Sequence, residues 1–230
     1  MTFEHAPVDL PQLDRVDSHD GRRYVTPEGN AYPSITTVLS ILSEDSIKAW
    51  RKRVGDEEAD KISYRASTRG TAVHECVEKY LQNTPMTELK QLYTPNIIES
   101  FLSIKGVLDG RIGKIFSQEC GLYSDHLQCA GTVDCVAEFD GKISIIDFKT
   151  SRKIKKRKYI TNYFAQESGY AVMWEERTRM PITQIVTIIA VDDMHGAPGN
   201  QVFVEHRDNY INLLRDTIEE YDSRSNPLFA

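Results

Sequence analysis

Midway along the chain the apolar period changes, and this limits the fold more than any other feature. Before the change, apolar side chains recur every three or four positions, as in Ala72, Val73, Cys76, Val77, Tyr80 and Leu81. That is the spacing of one helix face. KIFSQECGLYS, CAGTVDCVAEF and KISIIDFK, within 114–149, then alternate with period two, as half-buried strands do. YITNYFAQESGYAVMWEER returns to the helical period, ITQIVTIIAVDD and QVFVEHR are strand-like, and NYINLLRDTIEEYDS closes as a helix capped by Asp208. This order predicts an α/β fold, a mixed central sheet flanked by helices, with an N-terminal helical region.

The first half has its own punctuation. RRYVTPEGNAYPS predicts two short strands around a Pro-Glu-Gly-Asn turn. Ser34 is placed to cap a helix through SITTVLSIL, and SIKAWRKRVG predicts a second helix from Asp45 or Ser46. Residues 55–68 are polar and helix-forming, a further helix follows through RGTAVHECVEKYLQN, and Pro95 opens another. Residues 1–21 show little periodicity and are expected to form a surface extension with flexibility, ahead of one domain over 22–230.

Composition excludes several classes. No apolar run approaches the roughly 18–20 residues of a membrane span, so no membrane partner is expected. MTFEHAPVDLPQLDRVDSHDG is acidic and lacks the apolar core of a secretory signal, so a cytoplasmic location is expected. Cys76, Cys120, Cys129 and Cys135 form no CxxC pair, which argues against a zinc site and for reduced, buried thiols. The net charge is −6, yet the basic residues are clustered: Lys48, Arg51, Lys52 and Arg53, then Lys61, Arg65 and Arg69, then RKIKKRK at 152–158. Such clusters are solvated faces or nucleic-acid contacts.

The hairpin GTVDCVAEFDGKISIIDFKTS carries the most specific chemistry. With Asp140-Gly141 as a two-residue turn, Phe139 pairs with Lys142 and Asp134 falls opposite Asp147. Opposed residues share a face, about 4.5–5.5 Å apart at Cβ, and Lys149 joins the same face two residues on. Val136, Ile143 and Ile145 also lie there. Two charged carboxylates in such a setting repel each other and lose solvation. Three outcomes remain open: one acid is protonated, a cation sits between them, or Asp134 pairs with Lys149 while Asp147 faces solvent at a sheet edge. Hard oxygen ligands at this spacing suit Mg²⁺ or Mn²⁺. Two helical i, i+4 pairs accompany the hairpin: His74 with Glu78, and Gln166 with Tyr170.

The ordered set H…GTVD…DFKT…QESGY resembles the PD-(D/E)XK nuclease superfamily, and within it the RecB-like branch. RRYVTPEGNAYPSITTVLS, KAWRKRVGDEEADKI and RGTAVHECVEKYL extend the resemblance to phage-encoded exonucleases and mitochondrial genome maintenance exonucleases, over about residues 22–190. The resemblance implies a restriction-endonuclease-like core. It implies that Asp134, Asp147, His74 and the Phe148 carbonyl hold Mg²⁺ or Mn²⁺, and that Lys149 is catalytic beside the two aspartates. Gln166 and Tyr170 would hold the DNA backbone or brace the site. Glu119 and Glu78 match acids that recur in relatives. Relatives with an iron–sulfur cluster carry three cysteines near the C-terminus; none stands there here, so no cluster is expected. The implied activity is a metal-dependent deoxyribonuclease, an exonuclease on single-stranded DNA or free ends, phage-encoded and in the host cytoplasm, serving recombination and repair. Alternatives are a structure-specific endonuclease of the same fold and a non-catalytic nucleic-acid-binding module. Arg152, Lys153, Lys155 and Lys156 would grip phosphates. Trp50 would stack on a base, Arg69 would contact the strand, and residues 46–68 would line an arch through which a single strand threads.

Overall fold

The structure is a computed structural model, and it describes residues 2–18 and 21–225. In chain order, β1 (Asp14–Ser18), β2 (Gly21–Val25) and β3 (Ala31–Pro33) form a small antiparallel sheet. Then come the helices α1 (Ile35–Leu39), α2 (Glu44–Val54), α3 (Asp56–Leu81), α4 (Met86–Leu92) and α5 (Pro95–Arg111). The main sheet holds β4 (Ile112–Ser124), β5 (Cys129–Phe139), β6 (Lys142–Lys153), β7 (Gln184–Asp193) and β8 (Gly199–His206), hydrogen-bonded in that order. Helix α6 (Thr161–Thr178) joins β6 to β7, and α7 (Ile211–Ser225) follows β8.

All neighbours in the main sheet are antiparallel except β6 and β7. That step is parallel because α6 carries the chain back across the sheet, as parallel pairing requires. The α/β reading of the sequence therefore holds, with a mixed central sheet between helices.

Two apolar cores lie on the two faces. Val73, Cys76 and Val77 of α3 and Phe101 and Ile104 of α5 pack against Cys135, Ile146 and Ile188. Phe164, Met173 and Trp174 of α6 pack against Val136, Ile145 and Ile189. Neighbouring residues of β6 thus feed opposite cores, the consequence of period two.

Several elements differ from the sequence reading. Residues 56–81 form one continuous helix of 26 residues, since the polar segment and the apolar-striped segment keep a common helical path. The turn into it uses Gly55 at φ 85°, a left-handed conformation that suits glycine. The N-terminal stretch, expected as an extension, is tied down: Phe3 is buried, the Ala6 N–H reaches the Ile115 carbonyl at 2.8 Å, and β1 pairs with β2. Asp208 does not cap α7 but lies in a short 3₁₀ turn, Arg207–Asn209, where its N–H is held by His206. Ser34 caps α1 as its position implied, accepting the Thr37 N–H at 3.1 Å.

Candidate active site

The hairpin register is the one set by the Asp-Gly turn. Phe139 pairs with Lys142, and pairing continues in step to Cys135 and Ile146. Past that point β5 stays with β4 and β6 stays with β7. The two strands part at the residues that carry Asp134 and Asp147. The Phe148 N–H, which lacks a ladder partner there, donates to Asp134 Oδ2 at 2.8 Å. The N–H and C=O of one strand residue point to the same neighbour, so the Phe148 carbonyl also faces this opening.

Side chains arrive at the opening from both faces of the sheet. From α3, His74 Nδ1 stands 3.4 Å from Asp134 Oδ2, its ring edge-on to Phe148 at 6.4 Å between centroids. From α6, Gln166 Nε2 donates to Asp147 Oδ1 at 3.1 Å. From β4, Glu119 turns in at φ 45°, a rare conformation for a side chain of this type. Ligand atoms of His74, Glu119 and Asp134 all lie within 4.8 Å of one another. Glu78, one turn beyond His74, lines the same cavity of about 630 Å³, together with Asp134, Lys149, Gln166 and Tyr170.

The glycine of GTVD has a packing reason. A Cβ at Gly131 would sit 2.9 Å from Tyr170 Cε1 and 3.0 Å from its hydroxyl. The buried Tyr170 ring therefore lies directly on the β5 backbone three residues before Asp134.

Asp147 is 1% exposed, so it is not a solvent-facing edge residue, and its ion pair is with Lys149. Burial pushes its carboxyl up to about 6; Lys149 opposes that shift and Asp134 adds to it. Burial works against the Lys149 ammonium, but the charges of Asp147 and Asp134 outweigh it and hold the lysine above its ordinary range. Solvent reaches Glu119, yet enclosure in the cavity and the charges of Asp134, Glu78 and Asp147 push its carboxyl up to about 8. Asp147 Oδ2 is paired with the Lys149 ammonium. The imidazole of His74 and the carboxylates of Glu119 and Asp134 are a donor set that fits a hard divalent cation.

Other residues singled out from sequence lie elsewhere. Arg69 is ion-paired with Asp192 and donates to Ser100 Oγ at 3.2 Å. Trp50 is half-buried on α2 and does not line the cavity. Arg152, Lys153 and Lys156 are exposed at and beyond the end of β6; Lys155 is half-buried, its N–H on Gln201 Oε1 at 2.7 Å. One residue escaped sequence reading altogether. Glu167 is fully buried behind Lys149 and Asp147, with Oε1 on the Thr187 hydroxyl and Oε2 without a hydrogen-bond partner among the described residues. Burial first, then Asp147, drives its carboxyl well above the ordinary range. Its only sequence signal was an acid on the inward face of an otherwise apolar helix.

The chain is also similar in sequence to known proteins. Mitochondrial genome maintenance exonuclease 1 of Homo sapiens is 29% identical over 189 residues, covering 76% of this chain and 53% of that protein. The Xenopus tropicalis protein of the same name is 32% identical over 108 residues, covering 45% of this chain and 30% of that one. The chain resembles nucleases of the PD-(D/E)XK type. It spans about half the length of the human relative. No protein-family model matches it. Among solved structures, a candidate exonuclease from Eubacterium rectale aligns with TM-score 0.42 and 8% identity over 67% of this chain and 66% of that one. The resemblance to the PD-(D/E)XK type rests on the sequence relatives and on the strand order, with the acids at the point where β5 and β6 diverge.

Proposed function

We propose that this chain is a metal-dependent nuclease that hydrolyses DNA phosphodiester bonds, an exonuclease acting on single strands or free ends. The observation that carries the reading is the convergence of His74, Glu119 and Asp134 in a cavity also lined by Lys149, whose ammonium is paired with Asp147. The relatives named as exonucleases support it.

His74, Asp134, Asp147 and the Phe148 carbonyl would hold Mg²⁺ or Mn²⁺, with Glu119 beside them. The ion supplies an acidified water and a counter-charge for the phosphate. The Lys149 ammonium stays cationic next to its two aspartates, so it serves as an electrostatic group that orients a water and steadies developing negative charge, not as a base. Gln166 fixes the Asp147 carboxylate by its hydrogen bond, and the Tyr170 ring buttresses the strand that carries Asp134. Arg152, Lys153, Lys155 and Lys156 extend from β6 past the site, where they can meet the phosphates of a bound strand. Residues 46–68 span α2 and the polar half of α3, the part that would flank a threaded strand.

The test is digestion of end-labelled linear single-stranded DNA in Mg²⁺ or Mn²⁺, with a circular single strand alongside. The wild type is expected to shorten the linear strand and leave the circle intact, and Asp147→Ala to leave both uncut. Cutting of the circle would move the assignment to an endonuclease, and binding without digestion to a non-catalytic module.

A further inference from the structure

The cavity over the site carries charges of both signs. Glu75, Glu78, Glu119 and Asp134 line it together with Arg15 and Arg22, which the β1–β2 hairpin brings there. Antiparallel pairing sets Asp17 opposite Arg22 and Arg15 opposite Tyr24. Opposed and alternate residues share a face, so Arg15, Asp17, Arg22 and Tyr24 form one surface of the hairpin.

On that surface Asp17 bridges the two guanidiniums. Its Oδ2 is 2.7 Å from Arg15 Nη2 and its Oδ1 accepts from Arg22 Nε at 3.0 Å. One carboxylate between two guanidiniums leaves a net positive charge, and both arginines stay open to solvent, with side chains 50% and 39% exposed. The hairpin is also fixed relative to the site. The Tyr24 ring is buried and its hydroxyl shares a hydrogen bond of 3.0 Å with Thr132 Oγ1, two residues before Asp134.

We propose that Arg15 and Arg22 form a phosphate-binding subsite for the nucleic-acid strand, in the cavity that the acids also line, and that Asp17 holds the two forks in place while weakening their charge. The proposal rests on the nuclease reading and deepens it. A polyanion entering an acid-lined cavity meets repulsion that a bound cation offsets only locally, so a fixed positive patch has a physical task there. Guanidinium forks match phosphate oxygens in pairs, which a lysine cannot do. The phosphate is either an internal phosphodiester or a terminal 5′-phosphate.

The experiment measures affinity for a labelled single-stranded oligonucleotide in EDTA over a salt series, and KM in Mg²⁺, using the whole chain. Arg15→Ala and Arg22→Ala are each expected to weaken binding about tenfold and to flatten the salt slope by about 0.7. Arg→Lys at either position keeps the slope and loses part of the affinity. Asp17→Asn is expected to tighten binding severalfold, the opposite sign to loss of a mere structural brace. Comparing 5′-phosphorylated, 5′-hydroxyl and circular strands separates the two sources: an effect confined to the phosphorylated end assigns the terminal group, an equal effect on all three an internal one. Arginine variants with unchanged slope and KM, or an Asp17→Asn that weakens binding, overturn the subsite while a digesting wild type leaves the nuclease reading intact. A wild type that neither binds nor digests a strand overturns both.

Discussion

The Asp134 carboxylate accepts the Phe148 backbone N–H at 2.8 Å, so a β5 side chain replaces the ladder contact that the diverging strands give up. The same carboxylate faces His74. Asp134 is thus part of the strand geometry as well as of the candidate metal site.

The two duties separate by substitution. Asp134→Asn keeps an acceptor for Phe148 and is expected to retain native stability. Asp134→Ala orphans the N–H and is expected to lose about 1–3 kcal/mol. Urea unfolding measures this. Digestion of end-labelled DNA is expected to fall by at least about a hundredfold in both, as removal of a charge at a reacting centre implies. Equal stability of the two variants would deny Asp134 its structural duty.

Metal-free stability should fall as pH rises. Asp147 is held up to about 6 and Glu119 up to about 8 in the folded chain. Between the ordinary carboxylate range and these values the native state keeps protons that the unfolded chain has lost, so stability drops across that window. A bound divalent ion takes the place of those protons and should flatten the profile. The measurement is Tm against pH in EDTA and in Mn²⁺, for the wild type and Glu119→Gln. The variant is expected to show a shallower fall up to about pH 8, the remainder coming from Asp147 and Glu167, and a profile identical to wild type would refute the assignment.

Lys149→Met should separate chemistry from ion binding. Its ammonium is paired with Asp147 and sits 5.3 Å from the Tyr163 ring centroid. Loss of the charge is expected to slow single-turnover cleavage by about a hundredfold or more, while Mn²⁺ still raises Tm. If Mn²⁺ no longer raises Tm, Lys149 acts through the ligands, not on the substrate.

Glu167 is expected to behave as a neutral, buried acid. Glu167→Gln preserves the acceptor for Thr187 and should shift stability by less than about 1 kcal/mol. Glu167→Ala opens a cavity at a fully buried position and should cost about 2–4 kcal/mol. Chemical denaturation compares them, and a Gln variant as unstable as the Ala variant would mean that the carboxyl is ionised in place.

What the sequence determined by itself is short-range. The Asp-Gly turn and period two set the β5–β6 register, and with it the shared side of Asp134, Asp147 and Lys149. Helical spacing paired His74 with Glu78 and Gln166 with Tyr170, because separation along a helix or strand fixes direction. Only the tertiary structure decided where β5 and β6 part, that Glu119 turns into the cavity, and that Arg69 is taken by Asp192, 123 residues away. It also buried Glu167 and brought Arg15 and Arg22 into the cavity that the acids line. These depend on contacts between segments remote in sequence, and no local period encodes which remote segment will arrive.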